Sequence, residues 1–280
     1  MTESGGSAYT GRTRPPTRIA LGVEYDGSAF NGWQSQPDGM TVQDVLEAAL
    51  SAVAAEPVRV HCAGRTDAGV HALCQVAHFD TTAQRPDTAW VRGVNANLPS
   101  AVAVRWAQPV SEGFHARFSA QGRHYRYVLL NRPQRPALWS ACAGWHHVPL
   151  DADAMQAAAQ LWLGEHDFSA FRAAECQAKS PVKTLYRADV RRAGDWVVFD
   201  FHASAFLHHM VRNLVGTLVY VGKGAHPAAW AAEVLASRSR AAAAPTFSAA
   251  GLYFAGVDYD PAFGLAGKIR DSAVLPFTLL

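Results

Sequence analysis

The spacing of apolar residues changes along this chain from a period of two to one of about 3.6 and back again, and that change restricts it to a mixed α/β fold. Across residues 18–26, Ile19, Leu21, Val23 and Tyr25 fall on alternate positions. Successive strand side chains point to opposite faces, so this spacing predicts a half-buried strand, ended by Asp26-Gly27. From Thr41 the spacing widens to Val42, Val45, Leu46, Ala49, Leu50 and Val53, one stripe of a helix, with Thr41 and Asp44 placed as a capping pair. Residues 59–62 and 75–80 return to strand, 90–97 to a helix that stops before Pro99, and 102–106 to strand.

This βαββαβ order resembles a ferredoxin-like unit. Residues 132–149 hold three prolines and little periodicity, which places a domain junction there. Beyond it, Asp151 caps a helix predicted over 151–163 and stopped by Gly164, followed by a turn over 167–171. Residues 183–192 and 196–202 read as a hairpin across Ala193-Gly194-Asp195, residues 206–221 and 227–236 as helices, and 252–259 as a last strand. The expected organisation is an α/β domain over 18–131 and a second over 150–260. Residues 1–17 form a tail rich in Ser, Thr, Gly, Pro and Arg, expected to be disordered, and 261–280 form a C-terminal tail.

A formal charge of +2 on 280 residues is too small to bind a polyanion through bulk charge, so any nucleic-acid surface must come from local clustering. Cys62, Cys74, Cys142 and Cys176 form no CxxC pair, which points to reduced thiols and no structural metal. The longest apolar run, over 214–221, falls far short of the roughly 20 residues of a membrane span, and the tail lacks the apolar core of a secretory signal, so the expected compartment is the cytoplasm.

Three stretches carry chemistry. In residues 64–71, GRTDAGVH, Asp67 sits between a cation and small residues, and the two glycines allow backbone to approach a ligand closely. An acid that merely caps a turn would look the same in isolation. Residues 114–130 interleave Phe114, Phe118, Tyr125 and Tyr127 with Arg117, Arg123 and Arg126, the mixture of stacking planes and phosphate-seeking cations that a single-stranded nucleic acid needs, or else an amphipathic strand with a solvated basic face. The helix over 206–221 carries a stripe of Phe206, Met210, Leu214, Leu218 and Val221, with Arg212 opposite it among Val215, Gly216 and Val219. A guanidinium on an apolar wall needs a carboxylate or must snorkel to water, and Asp67 is the partner expected. The adjacent His208 and His209, about 100° apart on such a helix, make a poor metal clip and are read as hydrogen-bonding or packing groups.

With these residues assembled, the chain resembles the tRNA pseudouridine synthase A (TruA) family over about 18–259. The motifs are YDGSAFNGWQ, GRTDAGVHA, FHARFSA followed by RHYRY, GEHDFSAF, HHMVRN and GLYFAGVDY. The resemblance implies two ferredoxin-like or RRM-like halves around a catalytic cleft, a homodimer that grips tRNA across both subunits, and no cofactor. It implies isomerisation of uridine to pseudouridine at positions 38, 39 and 40 of the anticodon stem-loop. Carried over by motif, Asp67 is the catalytic acid, Tyr125 the active-site tyrosine, Arg212 the ion-pair partner of Asp67, and Arg65 the base-displacing arginine. Arg117, Arg123, Arg126 and His208 are the further candidates for substrate binding. A non-catalytic tRNA-binding chaperone is the alternative, and it has no use for an intact Asp67, Tyr125 and Arg212 set.

Overall fold

The alternation in residues 18–26 becomes β1 (Thr17–Tyr25), whose apolar side chains are almost wholly buried. The computed structural model describes residues 15–37 and 39–269, so nearly all of the expected N-terminal tail and the end of the C-terminal one lie outside the described residues. α1 (Val42–Ala54) follows, its first turn closed by the Asp44 N–H donating to the Thr41 hydroxyl, and Val42, Leu46, Ala49 and Leu50 turn into the core. β2 (His61–Cys62), β3 (His71–Thr81) and β4 (Val102–Pro109) complete one side of the molecule, with β1 antiparallel to both β3 and β4.

The remaining elements are β5 (Gly122–Asn131), β6 (Gly144–His146), α2 (Ala152–Gln160), β7 (Gly164–Asp167), β8 (Val182–Ala193), β9 (Trp196–Ala203), α3 (Met210–Gly222), α4 (Trp230–Ser237) and β10 (Leu252–Asp258). The strands join into one ten-stranded mixed sheet in the order β4-β1-β3-β10-β5-β9-β8-β7, with β2 beside β3 and β6 beside β5. β10 arrives last and inserts between β3, to which it is parallel, and β5, to which it is antiparallel. β5, counted with the first half in the sequence reading, pairs with β9 from Arg123↔Ala203 to Leu130↔Trp196. The main core cluster consequently extends from Ile19 to Leu265.

At α2, at β6 and β7, and in residues 261–269 the structure departs from the sequence reading, each time because of a contact distant in sequence. α2 ends at Gln160 and not at 163, since Trp162 turns into the core and donates its indole N–H to the Ala231 carbonyl at 2.9 Å. β6 and β7 are too short to show a period and exist through pairing with β5 and β8. Residues 261–269 pack back on the sheet: Val257 N–H donates to Ile269 O at 3.0 Å and the Trp106 indole to Lys268 O at 3.0 Å.

Candidate active site

Asp67 occupies the loop from β2 to β3, and that loop is held from below by the segment after β1. Trp33 N–H donates to Thr66 O at 3.0 Å, Gly69 N–H to Phe30 O at 3.4 Å, and the Tyr25 and Thr66 hydroxyls share a buried hydrogen bond of 2.8 Å. Gly32 makes this possible: its φ is +88° and a Cβ there would stand 2.7 Å from Thr66 O. On the other flank the buried Gln75 amide clamps Gly64, donating to its carbonyl at 2.6 Å and accepting from its N–H at 3.3 Å. The segment after β1, with Phe30 and Trp33 buried in it, is the floor of the Asp67 loop.

Arg212 faces this loop from α3, as expected. Its Nη1 lies 3.2 Å from Asp67 Oδ2, and its Nε donates to Phe247 O at 2.8 Å. The side chains of Arg212 and Asp67 are only 16% and 21% exposed, which makes this a mostly desolvated pair. The 245–247 segment comes close enough to α3 to supply that carbonyl because residue 216 is glycine: a Cβ there would meet Pro245 O at 2.4 Å. An arginine fixed at both ends of its fork holds the carboxylate in one orientation.

The expected helix start at 206 is corrected by the structure. α3 begins at Met210, and His209 precedes it in the left-handed region at φ 60°, a conformation a non-glycine residue seldom adopts and one that clusters at functional sites. His208 and His209 are therefore not spaced around a helix. Their rings pack 4.0 Å apart, and their Nε2 atoms lie 3.3 Å from Asp67 Oδ1 and 3.4 Å from Oδ2. Burial lowers the His209 pKa; Asp67 opposes the shift, and the fields of His208 and Arg212 add to it. Sequence reasoning missed His209 because it assumed that the HHMVRN stretch was helical throughout.

Tyr125 is buried on β5, its ring edge-on to Phe206 and Phe254 at 5.0 and 5.2 Å. Phe254 in turn lies under Gly64, where a Cβ would meet its ring at 2.9 Å, so Tyr125 and the Asp67 loop share one aromatic support. Burial, with the fields of Tyr25 and Asp67 added, pushes the phenol pKa far up, and its hydroxyl has no hydrogen-bond partner among the described residues. Arg65 extends exposed from the same loop, its side chain in no ion pair among the described residues.

The other basic candidates separate. Arg117 is exposed. Arg123 shares the face of Tyr125 but is spent on backbone, donating to the carbonyls of Ala63, Arg117, Ala120 and Ser204. Arg126 points to the opposite face by the alternation of β5 and pairs with Asp200 at 2.7 Å, so the structure does not bring it to the cleft. Of the four interleaved aromatics, Phe114 and Tyr127 are core residues, and Tyr127 donates to Ser248 O at 2.9 Å.

Among the described residues, two histidine–carboxylate groups offer ligand atoms close enough to share a cation, namely Asp67, His208 and His209, and, across the sheet, His124, His202 and Asp258. In the first, Arg212 already puts positive charge on the carboxylate where an ion would sit. In the second, both Nε2 atoms lie at hydrogen-bonding distance from Asp258 Oδ2, 2.9 and 2.8 Å.

A large mixed sheet that holds a carboxylate oriented by an arginine beside a buried tyrosine has the equipment of a pseudouridine synthase. The chain belongs to the tRNA pseudouridine synthase family, whose profile matches residues 22–119 and 158–260. It is 67% identical over 248 residues to the tRNA pseudouridine synthase A of Dechloromonas aromatica, covering 89% of this chain and 95% of that one. To the protein of the same name from Aromatoleum aromaticum it is 64% identical over 262 residues, covering 93% and 99%. Among solved structures, a chain of a Cbf5–Nop10–Gar1 complex aligns with 84% of this chain and 48% of its own, at a TM-score of 0.37 and 14% identity, too distant to bear on the argument.

Proposed function

We propose that this chain isomerises uridine to pseudouridine at positions 38, 39 and 40 in the anticodon stem-loop of tRNA, acting in the cytoplasm as a homodimer that holds the tRNA across both subunits. The observation that carries the reading is the Asp67–Arg212 pair at 3.2 Å, which joins the GRTDAGVHA loop to the HHMVRN stretch. The positions, the dimer and the compartment rest on the family resemblance; no described helix is long and apolar enough to cross a membrane.

The reaction breaks the bond from uracil N1 to ribose C1′, turns the base, joins C5 to C1′ and removes the C5 proton. Asp67, oriented by Arg212, serves it either by attacking C1′ or by taking the 2′ proton to give a glycal, as carboxylates serve glycoside cleavage. Tyr125 stacks on the freed uracil. Its raised pKa keeps the phenol protonated, so its first role is the ring and its second a hydroxyl shuttling a proton near C5. A target in a stem must be unstacked at a cost of a few kcal/mol, and Arg65 fills the vacancy it leaves. Arg117 and His208 contact the substrate, Arg123 acts by holding the loops that carry them, and the halves 18–131 and 150–260 form the walls of the cleft.

The test is to incubate an unmodified tRNA transcript with wild type and Asp67→Asn and map pseudouridine along the anticodon arm by chemical labelling and primer extension. Wild-type stops at the three positions, absent for the variant while its tRNA affinity persists, are expected. Tight binding with no stops for wild type would instead favour the chaperone reading.

A further inference from the structure

Phe118 is 77% exposed, yet its ring is fixed. It packs on His115 with centroids 4.3 Å apart, and the Arg117 guanidinium sits over the ring 5.8 Å from its centroid, leaving most of the ring open to solvent. His115 is itself held in place: its Nδ1 accepts the Arg117 and Phe118 backbone N–H groups at 3.1 and 3.3 Å, and its ring contacts His61 and His78. The turn is closed by Ser119, which donates its N–H to His115 O and accepts the His115 N–H on its hydroxyl, both at 2.9 Å. A large apolar ring immobilised in water hides little surface from solvent, so the core does not account for it.

The turn is also tied to the catalytic loop. Arg123 donates at once to Arg117 O at 2.7 Å, to Ala63 O at 3.2 Å, at the root of the Asp67 loop, and to Ser204 O at 3.1 Å, before the His208-His209 turn. Arg65 and Arg117 both stand near enough to Cys62 for their fields to act on its buried thiol. Two exposed guanidiniums, neither in an ion pair among the described residues, thus stand near Cys62, where β2 runs into the Asp67 loop.

We propose that the open face of Phe118 is a stacking platform for an unpaired nucleobase of the RNA substrate next to the uridine that enters the Asp67 cleft, with Arg117 on the connecting phosphate. The proposal rests on the activity assigned above and adds to it the place where a neighbouring nucleotide is gripped. Flipping a uridine unstacks its neighbour too, and an immobilised ring gives that base a new partner at little entropic cost. Stacking on a π-face is indifferent to base identity, which suits a site acting at three adjacent positions of varied sequence.

The experiment uses the full chain and an unmodified tRNA transcript, with Kd from filter binding at several salt concentrations and pseudouridine formation measured alongside. Phe118→Ala should weaken binding by roughly 5- to 150-fold, the loss of one stacked base, without changing the slope of log K against log salt. Phe118→Leu should lose nearly as much although it keeps an apolar side chain, and Phe118→Trp should restore affinity to within about threefold of wild type. Arg117→Ala should instead lower the magnitude of the salt slope by about one. Active wild type with Phe118→Ala binding within about twofold of it, or Phe118→Leu rescuing as well as Phe118→Trp, would overturn the platform alone. Wild type that forms no pseudouridine would overturn the activity reading and the platform with it.

Discussion

Replacing Arg212 with Met removes one charge and two hydrogen bonds while keeping an unbranched side chain on α3. At 3.2 Å and an effective dielectric constant of about 20, the lost attraction to Asp67 is about 5 kcal/mol, of which desolvation offsets a part, leaving a net of about 2–4 kcal/mol. If the pair acts by holding the carboxylate as charge develops at C1′, that loss appears in turnover as a fall of about 30- to 1,000-fold. Stability should suffer less. The Phe247 carbonyl loses its partner, worth about 1–2 kcal/mol, which lowers Tm by about 2–4 °C in a chain of this size. Single-turnover release of tritium from tRNA labelled at uridine C5, run well below the variant's Tm, separates the two effects. Arg212→Lys should fall between, because one ammonium cannot reach Asp67 Oδ2 and Phe247 O with the geometry of a fork. Turnover of Arg212→Met within about threefold of wild type, by a folded variant, would refute the assigned role.

Four further outcomes follow from the geometry. Tyr125→Phe should leave Tm unchanged, since the hydroxyl bonds nothing among the described residues, and cut turnover by at least about tenfold; full activity would reduce Tyr125 to a stacking ring. Arg65→Ala should slow a uridine inside a stem more than one in an unpaired strand, and equal losses on the two substrates would count against base displacement. Gly32→Ala puts a Cβ against Thr66 O at a positive φ, so calorimetry should show a loss of about 1–3 kcal/mol together with reduced turnover, and a fully active, equally stable variant would contradict the account of the loop floor. His78 is buried with its Nδ1 accepting the Ala116 N–H, and burial first, then neighbouring cations, holds its pKa at about 4. The unfolded chain binds this proton below about 6.5 and the folded one does not until about 4, so its contribution is full above 6.5 and fades as pH falls through that window, by about 2–3 kcal/mol at pH 4.5. Urea melts at several pH values should show this decline, and His78→Gln melts should not; identical profiles would exclude His78 as the cause.

What the sequence by itself determined is what interactions over a few residues decide. β1, α1 with its Thr41 cap, and the hairpin of β8 and β9 turning at Gly194 follow from period, capping and turn chemistry, each complete within one short stretch. The motif residues Asp67, Tyr125 and Arg212 were legible too, because their neighbours form patterns that resemblance can recognise. The contact between Asp67 and Arg212 spans 145 residues, however, and exists only because β10 joins β3 to β5 and the 245–247 segment closes over α3. The left-handed turn at His209 was hidden for the same reason: the local pattern favours continuing the helix, and Cys176, Ala173 and Asp67, all distant in sequence, hold the backbone and both imidazoles elsewhere. Arg123 and Arg126, equivalent as cations in the sequence, were separated by the pleat of β5 and by which carbonyls and carboxylates tertiary packing put beside each. Local chemistry thus selected the elements and the reactive groups, whereas long-range packing, which alone can offset the entropy of fixing a strained turn or burying a charge, decided which of those groups meet.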